Sequence, residues 1–359
     1  MSGSAPARLT AISGLGGKGP ACFLLEANDK RLLLDFGEGP QPGLLPDISA
    51  IGRIDALLLS HQHADHLGAL RFLPEIGDPP IHATAFVAQN LKQTARILPL
   101  QGRNEILGIP VTTGRSGHAP GGVWLHFAVG AGFIYMGDNC DESPLYAADA
   151  PPPAATAVID ASYGAYDDPY AARAAELDRL LEAPGRLLLP VPAQGRGPEL
   201  ALHLLRRGVP AYIDEENRKV VGMLLAKPDL IRSEARSDFA RLLTESAPSP
   251  EAAKAIIVSP ATVKSQLAQR LIAAKKSGAD IRILFTGYTP AGTPAGDLLE
   301  QGLASFMRWN IHPRLSDNAA LIRAIGAKQV MPAFGDPAPA QWAQAFAPAR
   351  VLLDPSCEL

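Results

Sequence analysis

The segment Ser60–His66 constrains the fold of this chain more than any other feature of its 359-residue sequence. It follows the segment 55–59, whose last four residues are apolar, a pattern typical of a buried strand. Four side chains able to bind a metal lie within six residues: His61, His63, Asp65 and His66. Imidazole and carboxylate are the groups that zinc takes in hydrolytic sites. Burying four such groups in one loop costs free energy unless a cation binds them, which favours a metal site over a polar surface loop.

The spacing within this segment suggests two metal positions. His61 and His63 are two residues apart, so an extended backbone points both imidazoles the same way. Asp65 and His66 come at the turn into a helix and can face a second ion.

The first part of the chain is predicted to consist of short strands joined by turns. Asn28-Asp29 separates two apolar runs and predicts a hairpin. Leu32-Leu33-Leu34 and Leu57-Leu58-Leu59 are apolar on both faces, as in a strand covered on two sides. Strands are predicted at 21–26, 31–36, 55–59, 80–83, 108–112, 123–128, 132–136 and 156–159.

After Asp167, predicted helices alternate with strands, which indicates βαβ units on a parallel sheet. The helix 198–207 has proline at its start and Gly208 at its end, as expected of helix termini. The other helices are predicted at 171–182, near 221 and 235, and at 261–276; the strands are predicted at 186–192, 211, 255–258 and 282–285. A helix at 316–325, stopped by Gly326, and a strand at 329–334 complete the β-rich part.

The metal-binding segment resembles motif 2 of the metallo-β-lactamase superfamily, and further landmarks of that family follow in order. Asp35, in Leu-Asp-Phe-Gly, is similar to the strand-end aspartate of motif 1, which braces the metal loop from the second shell of contacts. His118, in Ser-Gly-His, resembles motif 3. Asp138, in Tyr-Met-Gly-Asp, resembles motif 4. The resemblance implies an αββα sandwich.

The same resemblance implies a dinuclear zinc site, with Mn²⁺ as an alternative to Zn²⁺. It assigns His61, His63 and His118 to one ion. Asp65 and His66 are assigned to the other ion, and Asp138 bridges the two. His82, His126 and His203 have no ligand partner at useful spacing and are interpreted as packing or surface residues.

The second half resembles the β-CASP nucleases, which include ribonuclease J and the cleavage-and-polyadenylation type of RNA-processing hydrolase. Asp160 precedes Ala-Ser-Tyr-Gly, as in motif A, and His312 fits motif B. Segments 189–200 and 285–293 resemble the family's Ala-x-Gly-Arg-x-Gln-Glu-Leu and Gly-Tyr-x-x-x-Gly-Thr signatures. The resemblance implies a metallo-β-lactamase domain of residues 1–168 and 304–359, with an inserted α/β β-CASP domain of residues 169–303.

These motifs suggest a metal-dependent phosphodiester hydrolase in which zinc activates a hydroxide. We assign catalytic roles to Asp65, Asp160 and His312, with Asp160 orienting His312 and His312 donating a proton to the leaving oxygen or holding a phosphate oxygen.

We assign substrate binding to Ser162, Gly195, Arg196 and His312. The turn Gly195-Arg196-Gly197 exposes backbone amides beside a guanidinium, which suits a phosphate. Equally, Arg196 could only brace the interface between the domains.

Two positions depart from the family pattern. Phe334 occupies the place where the RNA-directed members carry a further metal-binding histidine, so the second ion would be held by fewer groups. Arg314 stands where an acidic residue is usual two positions after the motif B histidine. Asp317 could substitute for that acid or simply begin the next helix.

Composition leaves alternatives open. The formal net charge of -3 does not favour a nucleic-acid partner, although bound metals add positive charge. We expect RNA in preference to DNA. The alternatives are a DNA-directed nuclease, a small-substrate hydrolase of the lactonase, thioesterase or cyclic phosphodiesterase kind, and a non-catalytic partner protein.

Cysteine usage and hydropathy bear on where the protein works. Three widely spaced cysteines without a Cys-x-x-Cys pair are typical of a reduced, cytoplasmic protein. No segment approaches the roughly 20 apolar residues of a membrane span. We therefore predict a cytoplasmic location and no membrane partner, and we consider a homodimer.

Overall fold

The computed structural model describes residues 6–41 and 43–359, and the chain divides into two compact units. The first unit consists of the chain up to Asp141 together with residues 148–167 and 312–359. The second consists of residues 142–147 and 168–311, which is wider than the expected insertion of 169–303. Residues 305–306 extend the parallel sheet of the second unit, and Tyr146 forms a β-bridge with Ile231. These pairings place 142–147 and 304–311 in the second unit.

The first unit contains two seven-stranded sheets, whose strands are numbered here in chain order. The first sheet comprises, in spatial order, β19 (Ser356–Glu358), β1 (Arg8–Ser13), β2 (Cys22–Ala27), β3 (Lys30–Leu34), β4 (Ala56–Leu58), β5 (Ile81–Thr84) and β6 (Ala95–Leu98). The second comprises β18 (Arg350–Val351), β17 (Gln329–Ala333), β11 (Thr156–Asp160), β10 (Phe133–Tyr135), β9 (Val123–Phe127), β8 (Ile109–Arg115) and β7 (Gly102–Ile106).

The two sheets pack face to face, and helices cover their outer faces. Phe23 and Leu34 of the first sheet share one buried cluster with Leu125 and Tyr135 of the second. The first sheet is covered by α1 (Ile48–Ile51), α2 (Ala64–Leu67), a 3₁₀ helix (Leu70–Ile76) and α3 (Ala85–Ala88). The second is covered by α10 (Leu315–Ile325) and α11 (Pro339–Ala345). These four layers confirm the predicted αββα sandwich.

The second unit is built on a five-stranded sheet whose paired strands all run parallel. In spatial order its strands are β13 (Ala211–Ile213), β14 (Ala255–Val258), β12 (Arg186–Pro190), β15 (Ile281–Phe285) and β16 (Ser305–Phe306). Its helices are α4 (Tyr170–Glu182), α5 (Arg196–Arg206), α6 (Glu215–Leu225), α7 (Arg236–Glu245), α8 (Gln266–Lys276) and α9 (Pro294–Glu300), with 3₁₀ turns at Pro228–Leu230, Ser233–Ala235 and Pro250–Ala252. The predicted alternation of strands and helices is present.

Local chemistry explains both the agreements and the differences. Asn28 and Asp29 adopt φ of 51° and 57° and join β2 to β3, as a two-residue hairpin requires. Helix α8 begins later than the predicted residue 261, because Ser265 caps it by accepting a hydrogen bond from the backbone N–H of Ala268. No helix within residues 6–41 and 43–359 is long and apolar enough to cross a membrane.

The loop after β3 holds the segment that carries the predicted ligands. Phe36 N donates to the carbonyl of His66 (2.8 Å), and Ala21 N donates to the carbonyl of Asp65 (2.7 Å). A Cβ atom at Gly37 would lie 1.8 Å from the carbonyl oxygen of Asp65. Only glycine therefore permits this close approach of two backbones.

We predict that Gly37→Ala lowers the free energy of unfolding by about 1–3 kcal/mol, because the new methyl group must push the Asp65 backbone away. Gly222→Ala, in α6, is the control, since nothing lies within 4 Å of its added Cβ. It should be neutral or stabilise the chain by up to about 1 kcal/mol. Denaturant unfolding monitored by circular dichroism checks both variants, and equal stability of the two would contradict the proposed close approach.

Candidate metal centre

Strands of both sheets in the first unit end beside one another, and the predicted site residues lie at or just after these strand ends. The loop with His61 follows β4 of the first sheet. His118 follows β8, Asp138 follows β10, and Asp160 is the last residue of β11 in the second sheet. The site therefore lies where strands far apart in sequence reach one edge of the sandwich.

One group of ligands brings together three imidazoles and a carboxylate. His61 Nε2 and His118 Nε2 each lie 3.1 Å from His63 Nδ1. Asp138 Oδ2 lies 3.5 Å from His118 Nε2 and 3.9 Å from His61 Nε2. The four ligand atoms lie within 4.8 Å of one another. This donor set matches the nitrogen and oxygen ligands of a four-coordinate divalent ion.

A second group shares Asp138 with the first and adds Asp65 and His66. His66 Nε2 and Asp138 Oδ1 lie 3.1 Å apart. Both atoms are buried, and among the described residues each has the other as a polar neighbour without a hydrogen bond of good geometry. Buried polar atoms in native proteins nearly always have partners. A divalent ion bound by both atoms would supply that partner.

Asp35 connects this group to the rest of the sandwich. Its fully buried carboxylate accepts hydrogen bonds from Ser60 N (2.7 Å), Ser60 Oγ (2.7 Å) and Tyr135 OH (2.6 Å). His66 Nδ1 lies 2.7 Å from Asp35 Oδ2. Asp35 thus occupies the position expected of a residue that orients a metal-binding histidine. Burial and the Asp35 charge raise the pKa of Tyr135 well above its usual value, so its hydroxyl keeps the proton that it donates.

The surroundings set the charges of the ligand atoms. Burial, together with the neighbouring imidazoles of His66 and His63, holds the pKa of His61 well below its usual value. Burial opposes ionisation of Asp138, but the charges of His66 and Lys18 outweigh it and hold its pKa well below the usual range. Neutral imidazole and ionised carboxylate are the forms that bind divalent metals. Burial opposes the charge of His66, but the carboxylates of Asp138 and Asp35 outweigh it and raise the pKa of His66 well above its usual value, so this imidazole must release a proton when it binds an ion.

A third group joins His312 and Asp160 to the same carboxylate. His312 Nδ1 lies 2.7 Å from Asp160 Oδ2 and 3.7 Å from Asp138 Oδ2. Asp160 Oδ1 also accepts from Ser162 N at 2.9 Å. The imidazole ring of His312 packs beside His118, with 4.8 Å between ring centroids, and beside Tyr163 at 5.2 Å. The structure therefore brings the predicted catalytic pair next to the metal ligands.

The predicted substrate-binding residues have different surroundings. Ser162 Oγ is buried and makes no hydrogen bond among the described residues. Gly195 lies at the N-terminus of α5 and its carbonyl accepts from Tyr146 OH (2.7 Å). Arg196 is almost fully buried within the second unit, where an added Cβ at Gly287 would lie 2.1 Å from its guanidinium. Arg196 therefore packs tightly inside its own unit, and its role in phosphate binding stays a prediction.

The two positions that depart from the family pattern have clear structural roles. Phe334 is buried and its ring lies 5.2 Å from the ring of His66, so an apolar ring closes this side of the second ligand group. Asp317 Oδ2 accepts from the backbone N of Arg314 (3.0 Å), and its Oδ1 pairs with the Arg314 guanidinium at 2.7 Å. Asp317 is thus engaged at the start of α10.

Three further residues at the site were not identified from the sequence. Ser60 and Tyr135 donate to Asp35, and Lys18 Nζ lies 3.0 Å from Asp65 Oδ2. Ser60 directly precedes His61, and Tyr135 lies three residues before Asp138, so position in these motifs was the available signal for both. Lys18 lies far along the chain from Asp65, the residue it contacts.

Comparisons with known proteins agree with this geometry. Residues 15–190 match the model of the metallo-beta-lactamase superfamily. Transcription termination factor FttA from Methanothermobacter thermautotrophicus is 27% identical, over 65% of this chain and 46% of that protein. Endoribonuclease YSH1 from Kluyveromyces lactis is 26% identical, over 55% of this chain and 32% of that protein. Cleavage and polyadenylation specificity factor subunit 2 from Oryza sativa is 39% identical over 21% of this chain and 11% of that protein.

The chain is therefore similar to the metallo-beta-lactamase superfamily over residues 15–190. Within it, these relatives confirm the resemblance to the β-CASP branch. The matches span less than half the length of the curated relatives. A crystal structure of a protein of unknown function from Enterococcus faecalis V583 has the same fold, with a TM-score of 0.61, 14% identity and coverage of 99% of this chain and 100% of that one.

We predict that Asp35→Asn weakens zinc binding by about 10- to 100-fold, because the amide cannot accept all the hydrogen bonds that orient His66 and Ser60. Asp78→Asn changes an exposed carboxylate outside the site and serves as the control. Zinc titration against a competing chelator measures the effect. Unchanged zinc affinity in Asp35→Asn would contradict the role of Asp35 in orienting His66.

The helix that begins at Arg196 also buries a carboxyl group. Glu199 accepts hydrogen bonds from Ser143 Oγ and Trp309 Nε1, both at 2.7 Å. Burial outweighs these bonds and the charges of Arg196 and Arg232, and it raises the pKa of Glu199 to about 7 from 4.5. The folded state therefore holds this proton at a pH where the unfolded chain has released it.

We predict that the free energy of unfolding falls as pH rises from 4.5 to about 7. Across that interval the folded state binds more protons than the unfolded chain, because Glu199 stays protonated only in the folded state. The Glu199 contribution is fully present below pH 4.5 and is lost by pH 7, a change on the order of 3 kcal/mol. Glu199→Gln should remove this slope, and Glu216→Gln, an exposed site on α6, should not. Denaturant unfolding at several pH values checks this, and an unchanged slope in Glu199→Gln would contradict it.

Proposed function

We propose that this chain is a divalent-metal-dependent phosphodiester hydrolase that acts on nucleic acid. One observation carries the proposal. Three groups of possible ligands share the Asp138 carboxylate, and one of them contains the His312–Asp160 pair. Two ligand groups beside a proton-transfer pair suit the cleavage of a phosphodiester, which needs charge neutralisation and a proton for the leaving oxygen.

The donor sets favour two zinc ions, with Mn²⁺ as the alternative. His61, His63 and His118 would hold the first ion. Asp65 and His66 would hold the second, and Asp138 would contact both. When bound, the ions supply Lewis-acid activation of water and neutralise charge on the phosphate oxygens.

His312 would provide the proton for the departing oxygen. Its Nδ1 faces Asp160, which fixes the orientation of the ring. Nε2 is then the nitrogen that meets the substrate. Asp160 is itself positioned by Ser162 N and by Asn139 N, which donates to Oδ2 at 3.3 Å.

The names of the relatives favour RNA as the substrate, since one is an endoribonuclease and another a cleavage and polyadenylation factor subunit. A DNA-directed nuclease is the second candidate, since Phe334 replaces the histidine that the resemblance associates with RNA-directed members. The formal net charge of -3 favours a small-substrate hydrolase. A cytoplasmic location and a homodimer are further predictions from the sequence.

Cleavage of matched RNA and DNA oligonucleotides, labelled at either end, tests the proposal. A parallel panel of a lactone, a thioester and bis-p-nitrophenyl phosphate covers the small substrates. We expect metal-dependent cleavage of RNA. Turnover of the lactone or thioester alone would overturn the nuclease proposal, and fewer than one metal ion per purified chain would favour a non-catalytic role.

We predict that His312→Ala lowers turnover by about 10²- to 10⁴-fold, because the proton donor is lost, while zinc content stays near that of the unchanged protein. His203→Ala is the matched control, since His203 pairs with Asp178 in the second unit. Single-turnover kinetics and metal analysis measure the two quantities separately. Full activity in His312→Ala would discard this role.

A further inference from the structure

Lys18 places a positive charge at the second group of ligands. Its Nζ lies 3.0 Å from Asp65 Oδ2, and both side chains are only 20% exposed. Lys18 belongs to the glycine-rich loop between β1 and β2, which contains Gly16, Gly17 and Gly19.

Hydrogen bonds fix the loop at both of its ends. Phe334 N donates to the carbonyl of Gly14 at 2.8 Å, and Ser13 Oγ donates to the carbonyl of Pro20 at 2.7 Å. Ala21 N donates to the carbonyl of Asp65 itself. The backbone that carries Lys18 is thus tied to the same residue that its side chain pairs with.

The local charge explains why a cation is needed there. The carboxylates of Asp65, Asp138 and Asp160 all act on Lys18; burial opposes its charge, but these carboxylates outweigh burial and raise its pKa. Like charges held close together in a poorly solvated site require a neutralising partner. That partner can be the ammonium group or a divalent ion.

The second group also has fewer ligand residues than the first. It offers three ligand residues, whereas the first offers four. The Phe334 ring lies against His66, where it supplies no ligand atom. An ion at the second group therefore gains fewer bonds, and it competes with a cation that is already part of the chain.

We propose that Lys18 is the resident counter-ion of Asp65 and that a second divalent ion binds only by displacing it. The inference rests on the metal binding proposed above. It means that the first group holds an ion tightly and the second holds one weakly. Occupation of the second position then depends on the metal concentration. Lys18 sets the concentration at which this position fills.

Zinc titration of metal-free protein against a chelator tests this inference. We expect two dissociation constants that differ by at least about tenfold in the unchanged protein. Lys18→Met keeps the length of the side chain and removes its charge, so the second dissociation constant should fall by about tenfold or more, the size of effect typical of residues adjoining metal ligands. Lys18→Arg retains the charge and should keep the weak second site. Lys92→Met, at an exposed position, is the control.

A measurement on the unchanged protein avoids any folding defect of the variants. Reductive methylation followed by mass spectrometry should label Lys18 slowly with one zinc ion bound and several-fold faster with two. Equal labelling in the two states, or a second dissociation constant unchanged in Lys18→Met, overturns the role of Lys18 and leaves the proposed hydrolase standing. Absence of any zinc binding would overturn both.

Discussion

The structure of the first unit depends on burying several carboxylates at one point. Asp35, Asp138 and Asp160 are each at most 2% exposed, and Asp65 adjoins them. A buried carboxylate is tolerated only with hydrogen bonds or a positive partner. Asp35 meets the requirement with hydrogen bonds from Ser60 and Tyr135 and a close approach to His66. Asp138 meets it with the imidazoles of His61, His66 and His118, whose Nε2 atoms lie 3.1–3.9 Å from its carboxylate oxygens.

The need of the buried Asp35 carboxylate for hydrogen bonds also connects the site to the core of the sandwich. Asp35 follows β3 in the first sheet, whereas Tyr135 ends β10 in the second and is part of the cluster packed between the sheets. The hydrogen bond from Tyr135 OH to Asp35 therefore spans the two layers. Packing of the sheets therefore helps to position Asp35 and the imidazole of His66 beside it. Stability and site geometry are thus coupled in this unit.

Local chemistry made part of this structure predictable. The Asn28-Asp29 hairpin and the end of α10 at Gly326 follow from turn and cap preferences of nearby residues. The segments that come together at the candidate site were found from motifs that occur in the order known for the family, and their assignment as metal ligands stays a prediction. Strands β6 and β7 were missed, because both lie at sheet edges with mostly exposed side chains and lack an alternating apolar pattern. Lys18 could not be found from spacing, since its partner is distant in sequence.

Anomalous X-ray diffraction at the zinc edge, from crystals grown with zinc, is the most direct test of the central claim. We expect an ion held by His61, His63 and His118 with bonds of about 2.0–2.1 Å, and by Asp138. A second, weaker peak should lie between Asp65, His66 and Asp138. Zinc bound elsewhere, or no anomalous peak among these side chains, would contradict the claim that the buried carboxylates and imidazoles form a metal centre.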